Sequence, residues 1–130
     1  MTTHFKRHEF LCHCGRNHDN IVLFHLCDAL EQLRSAVGDT PIHITSGFRC
    51  EYWNRQCGGV ENSQHRKGKA ADIFIAGLTP LKVARAALTV PEIGGIGVYD
   101  TFTHVDIRDY SRGRRYLWGG GKFYNVRWWA

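Results

Sequence analysis

The sequence predicts an α+β fold, a small antiparallel sheet flanked by two or three helices. Three observations carry that prediction. Residues 41–45 and 102–108 alternate apolar and polar side chains, the period of a half-buried strand, and the apolar run 71–75 reads as a short buried strand. Residues 21–37 place Val22, Leu23, Leu26, Cys27, Leu30, Leu33 and Val37 at the three-and-four spacing of an amphipathic helix. Gly-rich residues 93–99 lead through a tight turn at Asp100-Thr101 into the strand 102–108, which together make a hairpin.

In chain order, the helix 21–37 has Asp19 or Asn20 as its N-cap and Gly38 as its stop. The strand 41–45 then delivers the chain to Ser46-Gly47-Phe48-Arg49. On it, His43 shares a face with Thr45 and is read as a histidine on the wetter side of the sheet. Residues 51–56 suggest a helical turn or two between Cys50 and Cys57, which would face each other or, in an oxidising compartment, be bridged. A second full helix starts at Thr79, with Pro80 in the first helical position and good helix formers behind it. The aromatic tail, from Tyr116-Leu117-Trp118 to Trp128-Trp129, is either an edge strand that closes the core or a stacking surface for glycan or peptide.

At 130 residues, 43% hydrophobic and 22% charged, the chain has the size and balance of a single globular domain over residues 1–130. It contains no run of eighteen apolar residues to span a membrane. Its first ten residues lack the apolar segment of a secretory signal, so the expectation is synthesis in the cytoplasm and action elsewhere after release or by another export route. A formal net charge of +5 favours polyanionic surroundings. Basic residues are scattered, with Arg112-Gly113-Arg114-Arg115 the one tight cluster, so nucleic acid is not expected and a cell wall suits the charge equally well. The five cysteines are an odd number, expected to be reduced. Cys12-His13-Cys14 with His18 admits a second zinc site, but a fourth ligand is not evident, and small apolar packing with a turn at Gly15 is the plainer reading.

The chemistry concentrates between Arg49 and Asp106. His65 lies in a polar, Gly-containing loop and Asp72 on the buried strand that follows, so an imidazole and a carboxylate can converge on one cation. On the strand 102–108, His104 and Asp106 point to one face and Val105 and Ile107 to the other. His65, Asp72 and His104 form the expected metal trio, with zinc favoured because two ligands are imidazoles. Arg49 follows a Gly turn at a strand end, where its planar cation can hold a substrate carboxylate or a developing oxyanion, or pin the loop to a neighbouring acid. Asp106 is the candidate general base or, equally, the partner that orients a ligand histidine. Ser63 either contacts substrate or stabilises its turn, and Tyr99 and Trp118 are the aromatic candidates for substrate binding.

Ser46-Gly47-Phe48-Arg49, then Gly58-Gly59-Val60 with Asn62, Ser63, His65, Gly68, Ala70 and Asp72-Ile73, then Gly95-Ile96-Gly97-Val98-Tyr99, and finally Phe102-Thr103-His104-Val105-Asp106-Ile107-Arg108 resemble, in order and spacing, the M15 peptidases. The resemblance covers residues 45–108, about half the chain. It implies one zinc ion per chain and hydrolysis of a peptidoglycan stem peptide or cross-link next to a D-amino acid, by a monomer. It also implies a substrate-facing role for Arg49. Some members carry Glu-x-x-His, with the glutamate as base; here Thr101 stands at that place, so the carry-over fails. A small basic chain of this kind is similar to the catalytic unit of a phage or prophage lysin or a tail-associated wall enzyme. The alternative is a catalytically silent, zinc-containing wall-binding module, as in the related zinc domain of hedgehog signalling proteins.

Overall fold

The computed structural model describes residues 1–109 and 115–124. Five strands, β1 (His43–Ser46), β2 (Ala70–Phe74), β3 (Gly95–Val98), β4 (Thr103–Asp106) and β5 (Tyr116–Gly119), form one sheet in the order β1-β2-β4-β3-β5. Neighbours run antiparallel except for β3 and β5, which are parallel. The expected antiparallel sheet is thus present, with one parallel pair at its edge: β3 and β4 are a hairpin, and β5 lies on the open side of β3. Three helices, α1 (Phe24–Ala36), α2 (Glu51–Gln56) and α3 (Pro80–Ala87), complete the α+β fold.

The two faces of the sheet do different work because side chains alternate along each strand. Ala71 and Ile73 of β2, Val105 of β4 and Ile96 and Val98 of β3 point into the core with Leu26, Leu30 and Leu33 of α1 and Val83 and Ala84 of α3. On the opposite face, the register sets Ser46, Asp72, His104, Gly97 and Trp118 side by side across all five strands. One row therefore carries the polar residues and the core carries none of them.

α3 begins as its sequence requires, with the Thr79 hydroxyl accepting the Lys82 N–H at 3.2 Å and Pro80 first in the helix. α1 starts later than expected. Leu23, not Asp19 or Asn20, is its N-cap, because the Asn20 side chain accepts the Cys12 N–H at 2.8 Å instead. Gly38 ends it in a left-handed conformation, φ 72°. His43 stacks on Phe74 with ring centroids 4.7 Å apart, away from the polar row. Arg115 donates to the carbonyls of Leu88 and Val90, tying the approach to β5 onto the end of α3. Arg112 and Arg114 of the basic cluster, and the tail aromatics Trp128 and Trp129, lie outside the described residues. Among the described residues no helix is long and apolar enough to cross a membrane.

Candidate metal centre

Three elements converge on the polar row. β2 supplies Asp72 and its paired neighbour β4 supplies His104, opposite each other in the ladder. His65 arrives from the 3-10 turn Gln64–Lys67. That turn is capped by the Ser63 hydroxyl, which accepts the His65 N–H at 3.2 Å, and it closes at Gly68, φ 70°, where any side chain would run into the Ile21 carbonyl. All three side chains are buried, and one donor atom from each lies within 4.8 Å of the others. Asp72 Oδ1 sits 3.3 Å from His65 Nε2 and 3.2 Å from His104 Nδ1.

The outer nitrogens of the two rings decide what the inner ones can do. His65 Nδ1 lies 2.7 Å from the Gly47 carbonyl, and His104 Nε2 lies 2.7 Å from Asp106 Oδ2. Both of those partners are acceptors, so each neutral ring commits its single proton outward. A cation bound between them would meet two imidazole lone pairs and a carboxylate, whereas without one a second proton on either ring is shared with Asp72. The donor set, two imidazoles and one carboxylate, leaves a fourth position open, as in catalytic zinc sites.

Electrostatics around the trio follow from burial and partners. Burial lowers the His65 pKa, which outweighs the upward pull of Asp72. For His104 burial also pulls down, but hydrogen bonds to Asp106 and Asp72 prevail and raise it. Burial would raise Asp72, yet bonds from His104 and His65 hold its carboxyl well below the usual range. For Asp106, bonds from His104 and Arg108 likewise overcome burial and hold it down to about 2.

The trio forms the floor of a cavity of about 480 Å³. Arg49, Ser63, Tyr99 and Trp118 all border it, together with Phe102 and Arg108. Arg49 Nη2 pairs with Asp72 Oδ2 at 3.1 Å, and the residue borders the cavity. Tyr99 stacks on Phe102, with ring centroids 4.7 Å apart, and its hydroxyl accepts from Trp118 Nε1 at 2.7 Å. Trp118 also leans on His104, centroids 5.1 Å apart. It fits there because Gly97 lies beneath it; a Cβ at that position would meet the indole at 2.5 Å. The Asp100 carboxylate, at the hairpin tip beside Tyr99 in sequence, accepts the Lys122 N–H.

Asp106 is placed differently from a residue that meets substrate. It has no exposed surface, does not border the cavity and is gripped by Arg108 at 2.7 to 3.0 Å behind His104. Of its two expected roles, this position suits the orienting one. Gly95 makes room for it, since a Cβ there would stand 2.5 Å from both carboxylate oxygens. Among the described residues that border the cavity, Asp72 is the only carboxylate. The aromatic partner Phe102 escaped the sequence reading because stacking on Tyr99 depends on the hairpin tip, where Tyr99 N donates to the Phe102 carbonyl.

The profile of the Peptidase M15 family matches residues 3–106. Zinc D-Ala-D-Ala carboxypeptidase of Streptomyces albus G is 38% identical over 80 residues, which are 58% of this chain and 31% of that protein. Peptidoglycan L,D-endopeptidase MepK of Escherichia coli is 34% identical over 89 residues, 62% of this chain and 48% of its own length. A probable MepK of Haemophilus influenzae is 39% identical over 82 residues, 58% of this chain and 44% of its own. The chain thus spans less than half the length of the curated relatives it matches. It belongs to the Peptidase M15 family.

Proposed function

We propose that this M15 peptidase is a zinc-dependent hydrolase of peptidoglycan that cuts a peptide bond next to a D-amino acid in the stem peptide or cross-link. The observation that carries the proposal is the convergence of three ligand atoms, His65 Nε2, Asp72 Oδ1 and His104 Nδ1, at the floor of an accessible cavity. Zinc bound by these three would supply Lewis acidity, acidifying a water molecule and polarising the scissile carbonyl. The relatives named for zinc and for peptidoglycan support both halves of the reading.

The chain's own residues then divide the remaining work. Gly47 and Asp106 hold the two imidazoles in the tautomers that aim their lone pairs inward. The Arg49 guanidinium, already beside the trio, takes the peptide carboxylate or the oxyanion that develops on the carbonyl. Tyr99, Phe102 and Trp118 make an aromatic wall for the stem peptide and narrow the access of water. Ser63 keeps His65 in place through its backbone. Asp106 acts through His104, as a positioning residue.

A monomer is the proposed working unit. The net charge of +5 suits an enzyme that meets an anionic wall, as a phage or prophage lysin or a tail-associated enzyme would. Digestion of purified peptidoglycan by the zinc-loaded protein, with mass spectrometry of the products and His65→Ala as control, tests the proposal and reports whether a terminal residue or a cross-link is released. Products that vanish in the variant are expected. Stoichiometric zinc with no products would instead identify a silent wall-binding module.

A further inference from the structure

A second group of metal-ligating side chains lies outside the cavity. Cys12, Cys14 and His18, from the loop ahead of α1, meet Cys50, and one donor atom from each of the four lies within 4.8 Å of the others. The sequence offers only the first three; the fourth is 38 residues away from Cys12 and is brought in by the fold. Cys50 turns toward Cys12, not toward Cys57, which is exposed.

The geometry points to a structural zinc site at Cys12, Cys14, His18 and Cys50. Cys12 Sγ and Cys50 Sγ are 3.7 Å apart, against an S···S edge of about 3.8 Å for a tetrahedron built on Zn–S bonds of about 2.3 Å. His18 Nδ1 lies 2.7 Å from the Asp19 carbonyl, so its proton is committed there and the Nε2 lone pair faces Cys14 Sγ at 3.0 Å. Each of the three sulfurs accepts a backbone N–H: Cys12 from Cys50 at 3.4 Å, Cys50 from Trp53 at 3.4 Å and Cys14 from Arg16 at 3.3 Å. Three thiolates and an imidazole fill all four positions, which marks a closed structural site and selects zinc over hard cations.

The position gives such an ion a clear task. Cys50 is the N-cap of α2 and the neighbour of Arg49, which holds Asp72. The loop that carries Cys12 and Cys14 is laid over α2 by the Arg16 guanidinium, 3.6 Å above the Tyr52 ring. A metal clip here fastens the N-terminal segment to the turn that presents Arg49. It stands apart from the peptidase reading, because it shares no ligand with the His65 trio.

Cobalt substitution tests it, since only this site has sulfur ligands. The full chain loaded with Co²⁺ is expected to show sulfur-to-cobalt charge-transfer absorption, kept in His65→Ala and lost in Cys14→Ser. Zinc analysis is expected to find a second equivalent of metal that remains bound in His65→Ala. If Cys14→Ser fails to fold, the wild-type cobalt spectrum alone decides. A cobalt-loaded wild-type protein without the sulfur band would overturn the inference. So would a Cys12–Cys50 disulfide, found by thiol trapping and mass spectrometry in protein that holds a single metal.

Discussion

Replacing Asp106 by asparagine separates a carboxylate that orients a ligand from one that moves a proton. The side chain is fully buried and accepts from His104 Nε2 and from Arg108 at 2.7 to 3.0 Å. Asn preserves the volume and a hydrogen bond but removes the charge that balances Arg108. Breaking a buried pair costs ~3–5 kcal/mol, and because Arg108 is 28% exposed and can turn toward water, a loss of ~2–3 kcal/mol is expected by urea unfolding. With the His104 tautomer no longer enforced, zinc affinity is expected to fall ~10–100-fold, measurable by competition with a chelating dye. Peptidoglycan hydrolysis should fall by that factor at limiting zinc and recover as zinc is raised. A general base would behave otherwise, leaving hydrolysis down ~10²–10⁴-fold at saturating zinc with affinity unchanged. That outcome would refute the orienting role.

Arg49→Ala is expected to lower kcat/KM by ~10²–10³, the range for loss of one oxyanion donor, and Arg49→Lys should not restore it because the planar fork is lost; product release from peptidoglycan measures both. Gly97→Ala places a methyl 2.5 Å from the Trp118 indole, so the tryptophan must leave the cavity wall, and a change in its fluorescence should accompany reduced hydrolysis. In metal-free protein, Asp106 has a folded pKa of about 2 against an ordinary 3.8, so its contribution is complete above 3.8 and is lost as pH falls toward 2. That contribution is on the order of 2 kcal/mol and should appear as a drop in urea midpoint across the same window. Asp72 shifts in the same direction and adds to it. The histidines act on either side of pH 6.5: lowered His65 makes stability rise with pH below that value and raised His104 makes it fall above it, so the urea midpoint should pass through a maximum near pH 6.5.

The direction of His104 was legible from strand alternation, whereas its meeting with Asp72 and with His65 from a loop was expected from the family resemblance as much as from the residues, and the fold brings one donor atom of each within 4.8 Å of the others. The start of α3 was legible for a local reason too, a hydroxyl cap followed by proline. What escaped the sequence depends on contacts between distant segments. Cys50 gives no local sign that it meets Cys12. The polar residues ahead of α1 look like caps, but Asn20 spends its side chain on the cysteine loop. The parallel pairing of β5 with β3 has no sequence signal of its own, since an aromatic strand fits any free edge. Asp106 was identified as important, yet its role turns on which side of the imidazole it occupies, and alternation along a strand does not report depth.

β3 contributes no reactive group, yet its two glycines act as a mould. One hydrogen at Gly95 defines the hollow that Asp106 fills, and one at Gly97 defines the seat of Trp118. A survey that located the site by intolerance to substitution would score these two positions alongside the histidines, and would mistake the negative of the site for part of its chemistry. For anyone reshaping this cavity, the same observation sets a boundary: the aromatic wall can be recarved from β5, whereas the strand beneath it has no volume left to give.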